Sequence, residues 1–509
     1  MGHRTRRHGT WLVATLVLLA FLGPPATLVA SEVEQPVRIS ETPAPSRTYE
    51  GPTAAVDPRD SDRVYVAAAD LQTAACHVYR STDGGASFTE LEGPDFGQLT
   101  DCGLNRGGLP QNMRMKLVVD TEGVVYWALA VADPAAGGAR NVVLARSEDE
   151  GASWQTAMVA EAPQPANPDD AVANFVPDLF VDPFGEGPRR VWVSWRRSFT
   201  DAAERDTEGW AALSTDGGRT FEPEVRGIEA NPGFDAPRIV MDHEGTVYWF
   251  QRERPPSPEE GEEPAPSPLL MARSDDRGST WEQMEVGQAH LVMEEPLAAV
   301  SPDGQVLHLA WADGRNGDLD VFFARSSDRG ATWSEPLRVN DDEVGNRRSQ
   351  KWPRMKVAPN GRIDVAWYDY RNDAEEVPED DVEFFLGEVN DVYLASSDDG
   401  GRSFSDNVRV SRQPIDRSLG TYNAQYFVEV PPGLGSGNDA AFLAWSDTRL
   451  ADQETGAQDI FGARVTLSDA GISWVPVLIV LFVTLGLVGV ALFVLAARRR
   501  RSAESPAEA

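Results

Sequence analysis

The octapeptide pattern Ser-x-Asp-x-Gly-x-Ser/Thr-Trp/Phe occurs six times in this 509-residue chain. The copies run Ser81–Phe88, Ser147–Trp154, Ser214–Phe221, Ser274–Trp281, Ser326–Trp333 and Ser397–Phe404. Each places a short polar turn between two strand-like runs. Aspartate and serine hydrogen-bond their own backbone in such a turn, and glycine supplies the positive φ that a tight hairpin needs. The closing tryptophan or phenylalanine starts the next strand and packs back over the turn. The central residues Asp83, Asp149, Asp216, Asp276, Asp328 and Asp399 lie 66, 67, 60, 52 and 71 positions apart. That spacing gives one turn to each small antiparallel sheet. The chain is therefore all-β, and its sheets form a β-propeller.

The strands before each turn align. Second strands read Val64–Val66, Val125–Trp127, Trp192–Trp195, Val247–Trp249, Leu309–Trp311, Val365–Trp367 and Leu443–Trp445. First strands read Pro52–Asp57, Met115–Asp120, Pro177–Asp182, Pro237–Asp242, Pro296–Ser301 and Pro353–Ala358, with a looser seventh at Asn423–Val430. The seventh unit has a third strand, Asp459–Val465, but no turn motif and no fourth strand after it. The missing strand is expected at the other end of the chain. Pro36–Ser40 (Pro-Val-Arg-Ile-Ser) matches the fourth strands Pro336–Asn340 and Asn407–Ser411. Closure by this N-terminal strand makes seven four-stranded blades and removes the edges an open ring would leave. Arg254–Pro268 and Ala374–Glu383 interrupt blades four and six as acidic loops of disordered composition.

The repeated octapeptide resembles the Asp box, or BNR repeat, of the sialidase superfamily. The resemblance implies a sialidase-type propeller. Its site would lie on the face opposite the boxes, where first strands begin and the loops between strands two and three gather. It also implies roles for residues at the leading ends of those strands. Arg114, Arg238 and Arg354 would be the arginine triad that clamps a substrate carboxylate, a task suited to the planar guanidinium fork. Asp178 would be the acid/base, and Tyr422 with Glu295 the nucleophile pair, since sialidases use tyrosine rather than a carboxylate. An active exo-sialidase is one reading of this set.

The residues also support a second reading. Lys116 shares a strand face with Arg114, and the leading ends alternate in sign: Arg114/Lys116, Asp178, Arg238, Glu294/Glu295, Arg354. Such alternation fits a charge-paired ring that recognises a glycan or other acidic ligand without turning it over. A scaffold that binds protein is a third reading. Three Trp-x-Asp-x-Arg runs, Trp311/Asp313/Arg315, Trp367/Asp369/Arg371 and Trp445/Asp447/Arg449, each precede a further aspartate (Asp320, Asp391, Asp459). Their repetition in adjacent blades points to inter-blade salt bridges. No cofactor is implied and no metal motif is present. Calcium among these carboxylates is the open alternative, although no EF-hand loop occurs.

The ends of the chain place it outside the cell. Residues 1–30 carry Arg4, Arg6 and Arg7, the apolar run Trp11–Gly23, and small residues at Ala26 and Ala30. This is the pattern of a secretory signal peptide, with an uncleaved anchor as the alternative. After an ectodomain spanning 33–467, Ile472–Ala497 contains no charge and is long enough to span a bilayer. Arg498–Arg501 follows as a stop-transfer signal and puts the tail, 498–509, on the cytoplasmic side. The expected protein is single-pass at the cell membrane, with its propeller extracellular. Cys76 and Cys102 are then expected to form a disulfide. Net charge is −34, and arginine carries nearly all the positive charge, lysine being confined to Lys116, Lys351 and Lys356. So acidic a chain disfavours nucleic acid as a partner.

Overall fold

The second strand of each repeat reads as a short apolar run because both of its faces are covered. Val247–Arg252, Leu307–Asp313, Ile363–Asp369 and Ala440–Asp447 are buried at every position. Each lies within a small sheet that packs against the sheets before and after it. Clusters of valine, leucine, tyrosine and tryptophan fill those interfaces, with Trp127, Trp195, Trp249 and Trp367 fully buried.

The computed structural model describes residues 30–40, 49–70, 73, 75–97, 115–133, 139–163, 171–185, 187–200, 207–232, 236–255, 265–290, 296–374, 389–419, 431–451 and 457–468. Their regular structure is entirely strand, and all but the two ends lie in one unit, Ser31–Leu467. Seven antiparallel sheets follow one another around an axis. Their first strands are Tyr49–Asp57, Lys116–Val119, Ala171–Val181, Arg238–Met241, Leu297–Val300, Gln350–Val357 and Gly433–Ser436. Each touches the first strand of its neighbours, and the circuit closes between Gly433–Ser436 and Tyr49–Asp57. The fold is therefore an all-β, seven-bladed propeller with its first strands innermost.

Closure follows the expected route. Val37 pairs with Gly462 and Arg38 with Phe461, and Ala30–Val33 continues along the same strand, Asp459–Ser468. The side chains repeat a device used twice elsewhere. An arginine on the fourth strand meets the aspartate that opens the third: Arg338 with Asp320 at 2.6 Å, Arg409 with Asp391 at 2.7 Å, and Arg38 with Asp459 at 2.9 Å. Two residues on, Asn340, Ser411 and Ser40 donate to those same aspartates at 2.7, 2.7 and 3.0 Å. The N-terminal strand is thus a fourth strand in its side chains as well as in its pairing.

The boxes form the turns read from the sequence. In the sixth, Ser397 Oγ donates to Asp399 Oδ1 at 2.8 Å, Gly401 N donates to Ser397 Oγ at 2.9 Å, and Ser403 Oγ donates to Asp399 Oδ2 at 2.7 Å. Donors from Ser153 and Thr280 hold the Asp149 and Asp276 carboxyls down to about 2. Gly401 has φ +79°, and a Cβ there would overlap the Phe323 ring of the preceding blade. The closing aromatics reach the same way: Phe404 lies 5.2 Å from Phe323, Trp333 5.9 Å from Phe250 and Phe88 5.4 Å from Phe442 between ring centroids. They pack across the blade interface rather than only over their own turn.

Three features differ from expectation or fall outside what is described. The described inner strand of blade seven is Gly433–Ser436, and Asn423–Val430 lies outside the described residues. Gly435 approaches the backbone of Ala55 and Val56 so closely that a Cβ would meet it at 2.9–3.0 Å. That strand therefore carries no apolar alternation to read. The Trp-x-Asp-x-Arg runs pair first within their own blade, Trp367 Nε1 donating to Asp369 at 2.7 Å and Arg371 meeting the same carboxylate at 2.8 Å, and the expected salt bridge between blades is made at Arg371. The arginines then reach back to the preceding blade, Arg315 to the Gln288 carbonyl, Arg449 to the Ser411 carbonyl and Arg371 to Asp341. Finally, Cys76 is disulfide-bonded, while Cys102, residues 1–29 and Ile472–Ala497 lie outside the described residues. Among the described residues no helix is long and apolar enough to cross a membrane.

Arg38→Ala should remove the guanidinium from the buried Asp459 carboxylate, costing roughly 2 kcal/mol. Deleting Glu34–Ser40 should lower thermal stability much further by exposing the edge of blade seven. Urea melts that placed both variants within half a kcal/mol of the parent would refute closure by this strand.

Candidate functional site

Successive residues of a strand point to opposite faces, so every second side chain of a first strand can turn toward the axis. Blade two supplies Lys116, blade three Asp178, blade four Arg238, and blade six both Arg354 and Lys356. Lys116 Nζ lies 3.2 Å from Asp178 Oδ1, and Arg238 Nη1 lies 3.4 Å from the same oxygen. Lys116 also feels the charges of Arg354, Arg238 and Lys356, and Lys356 those of Asp178, Arg354 and Arg238. Four blades thus bring five charged side chains into one cluster. Among the described residues, four cations surround one carboxylate.

Burial and mutual repulsion set the titration of this cluster. Burial pushes the Lys116 ammonium down to about 7, with Arg354, Arg238 and Lys356 adding repulsion and Asp178 opposing both. Lys356 is lowered by burial in the same way. Burial works to raise the Asp178 carboxyl, but Lys116 and Arg238 outweigh it and hold the group below the usual carboxylate range.

Of the site residues expected from the sequence, Asp178, Arg238 and Arg354 belong to this cluster. Arg114, Glu295 and Tyr422 lie outside the described residues, as does Glu294. Asp178 engages Arg238, the contact expected of a charge-paired ring. The signs of blades two, three, four and six are those expected, blade six carrying two cations, and the acidic pair expected from blade five lies outside the described residues. Lys356 was missed in the sequence. The signal for it was its spacing, two residues after Arg354 on the same strand, which is the rule that paired Arg114 with Lys116.

The backbone leading into this cluster is irregular in a repeated way. Register slips between Glu50 and Thr53, between Phe175 and Asp178, and between Lys351 and Arg354. Each slip is a bulge whose residue before proline has positive φ: Gly51 at 64°, Val176 at 52° and Trp352 at 57°. A residue before proline normally stays extended, and a β-branched one at positive φ is an outlier. Strain of this kind costs on the order of 1–3 kcal/mol per residue and concentrates at functional sites. The bulges of blades three and six lie directly before Asp178 and Arg354. Beside the first of them, the guanidiniums of Arg140 and Arg196 lie 5.5 and 5.4 Å from the Phe175 ring centroid.

A polar junction braces the start of blade six. Asp342 accepts from Arg338 at 2.8 Å, Asn346 at 2.7 Å and Gln350 at 3.0 Å. Asp318 is 3% exposed and accepts the Arg348 N–H at 3.0 Å through Oδ2, whereas its Oδ1 has no hydrogen-bond partner among the described residues. Burial, with the nearby Asp320, pushes its carboxyl up to about 6. Among the described residues no group of three His, Cys, Asp or Glu side chains is arranged to hold a metal ion.

No protein-family model and no curated protein matches the sequence. Among solved structures, the chain is similar to a protein of unknown function from Dyadobacter fermentans DSM 18053, at 14% identity and a TM-score of 0.45 over 86% of this chain and 99% of that one. It is also similar to an α-L-arabinofuranosidase of Fusarium graminearum in complex with an iminosugar inhibitor, at 13% identity and 0.42 over 66% and 92%. A third is Trypanosoma rangeli sialidase in complex with 2,3-difluorosialic acid, at 12% identity and 0.38 over 69% and 53%. The likeness at this level is one of fold alone and assigns no residue.

The raised Asp318 carboxyl has a definite pH signature. Between about pH 4 and 6 the native state keeps a proton that the unfolded chain gives up, so stability falls as pH rises through that window. Asp318→Asn stays neutral and should be more stable than the parent at pH 7.5, by up to roughly 3 kcal/mol, with the difference vanishing by pH 4. Parallel thermal melts that moved together across this range would contradict the assignment.

Proposed function

We propose that this protein is a membrane-anchored, cell-surface propeller that recognises an acidic ligand, a glycan bearing an acid group being the leading candidate, at the axial mouth. One observation carries the reading. In a chain of net charge −34, the described axial strands gather Lys116, Arg238, Arg354 and Lys356 around a single carboxylate. Cations held close together and away from water repel one another, and an anion that neutralises them binds more strongly than it would at an open surface. The bulges before Asp178 and Arg354 support the reading, because strain at those positions needs a return in function.

Recognition without turnover is preferred over exo-sialidase activity because Asp178 already engages Arg238. A carboxylate clamp needs that guanidinium for the substrate.

The test uses the full-length chain in detergent at fixed ionic strength. N-acetylneuraminate and glucuronate should raise the melting temperature, neutral sugars should not, and Arg354→Gln should abolish the response. Equal shifts with acidic and neutral sugars, or a response that survives Arg354→Gln, would exclude the axial site. A fluorogenic sialoside should not be hydrolysed; robust hydrolysis lost in Tyr422→Phe would replace recognition with the sialidase reading.

A further inference from the structure

The box serine pairs with the second strand at the same point in each blade that has one, and so fixes the level of every first-strand residue. By that measure the charged axial residues form two layers. Lys116, Asp178, Arg238 and Arg354 stand at one level, opposite Ala128, Ser194, Phe250 and Ala366. Lys356 stands one strand period deeper, opposite Asp364 and roughly 7 Å further along the strand. With blade seven aligned on Trp445, the same level in the other blades holds Ala55, Val118, Phe180, Val240, Ala299 and Gly435. The repeat builds this layer without charge, and Lys356 is the exception. Lys356 is half-buried and has no hydrogen-bond or ion-pair partner among the described residues. Asp364, across the sheet, is held by Arg362 at 2.8 and 2.9 Å and by Ser396 at 2.7 Å. The described inner strands on either side, Leu297–Val300 and Gly433–Ser436, carry no acid. Burial lowers the Lys356 ammonium despite the attraction of Asp178, as expected of a charge the fold does not relieve. Cations drawn away from water are ordinarily paired.

We propose that Lys356 is the residue that holds the acid group of the axial ligand, and that this group is a compact monoanion, a carboxylate, seated between the charged ring and the apolar layer. The inference rests on the acid-binding reading of the axial mouth and names the contact. The ring is already engaged: Asp178 meets Lys116 at 3.2 Å and Arg238 at 3.4 Å, and Arg354 donates to the Pro353 carbonyl at 3.2 Å. Its net positive charge draws an anion inward without having to contact it. At the next level a single ammonium, a compact point charge with three donors, meets the anion. The side chains that share this level with Lys356 are apolar and offer no donor, so the anion is held there and goes no deeper. The carboxylate can be the end of an acidic sugar or a free small acid; the chemistry at Lys356 is the same.

The experiment titrates the full-length protein in detergent, at fixed ionic strength, with glucuronate and with acetate, and follows the melting temperature. Lys356→Met gives this level the apolar character it has in the other blades. It should raise the melting temperature in ligand-free buffer, because it removes an unrelieved cation, and should weaken glucuronate roughly ten-fold or more. Arg329 is a cation the fold does answer, with Asp242, Glu244 and Asp275 at 3.4, 3.1 and 3.0 Å. Arg329→Gln should lower the melting temperature and leave the glucuronate affinity unchanged. A Lys356→Met protein that melts below the parent, or binds glucuronate as well as the parent does, overturns the proposal. If that variant does not fold, reductive methylation of the parent decides, mapped by peptide mass spectrometry. Lys356 should be labelled, and saturating glucuronate should protect it and leave Lys351 as it was; labelling that is absent from Lys356, or unchanged by glucuronate, overturns the proposal. Binding that survives Lys356→Met but is lost in Arg354→Gln would put the acid on the ring, sinking this inference and leaving acid recognition standing. Acetate held through Lys356 with glucuronate excluded would keep the anion site and sink the glycan reading. No response to either acid would sink both.

Discussion

The axial geometry depends on a two-residue strand pairing. Val37 and Arg38 lie against Gly462 and Phe461, with Arg38 and Ser40 both on the Asp459 carboxylate. Without that strand, Asp459–Ser468 would be an edge with its backbone groups open, and blade seven would be the weakest element of the ring. Blade seven packs on blade one through Phe442, Ala444 and Ile460. It also lays Gly433–Ser436 directly along the innermost strand of blade one. A ring transmits such loosening in both directions, because each inner strand is held only by its neighbours. The five side chains of the axial cluster come from four blades, so their separations of a few ångströms are set by closure more than by any local contact.

Charge is used in opposite ways at the two ends of the blades. At the boxes, each aspartate satisfies its own turn and stays strongly acidic, as the carboxyls of Asp149 and Asp276 show. These acids add to the negative surface without engaging the opposite end. At the axis, cations face one another. Two unit charges 4 Å apart interact by about 4 kcal/mol at the effective dielectric of a partly buried site. Bringing four cations together is therefore a cost to folding, and among the described residues Asp178 offsets part of it. Natural folds retain local costs of this size where function requires them.

Most of the architecture was legible in the sequence, because repetition averages out the ambiguity of any single strand. Six boxes located the blades, and the match between Pro36–Ser40 and two fourth strands located the closure. What could not be read was geometry that depends on a neighbour. Gly433–Ser436 has no alternation because its constraint is backbone approach, and the box aromatics reach a blade that the local sequence does not reveal. In the site, Asp178, Arg238 and Arg354 were identifiable from their place at the start of a first strand. Lys356 lay one strand period further on, and its role needed the spatial convergence of blade six with blades two, three and four. Asp318 was invisible, since its orphaned oxygen follows from the loops that bury it.

The bulges connect these observations. A first strand that only had to line a tunnel could run straight through, as the register of Arg238–Met241 does against Val247–Phe250. In blades one, three and six the strand slips before its proline, and only in blade one does glycine hold the positive-φ position. Val176 and Trp352 occupy it in the other two, although a glycine there would have relieved the strain. The slip changes which side chains face the axis just ahead of Asp178 and Arg354, and the proline after it fixes the direction in which the strand resumes. Backbone strain and cation crowding are independent costs, and in blade six they fall two residues apart, at Trp352 and Arg354, while in blade three the strained Val176 stands two residues before the cluster's carboxylate, Asp178. Two unrelated costs in the same place are better explained by what the place must do than by how the ring is held together.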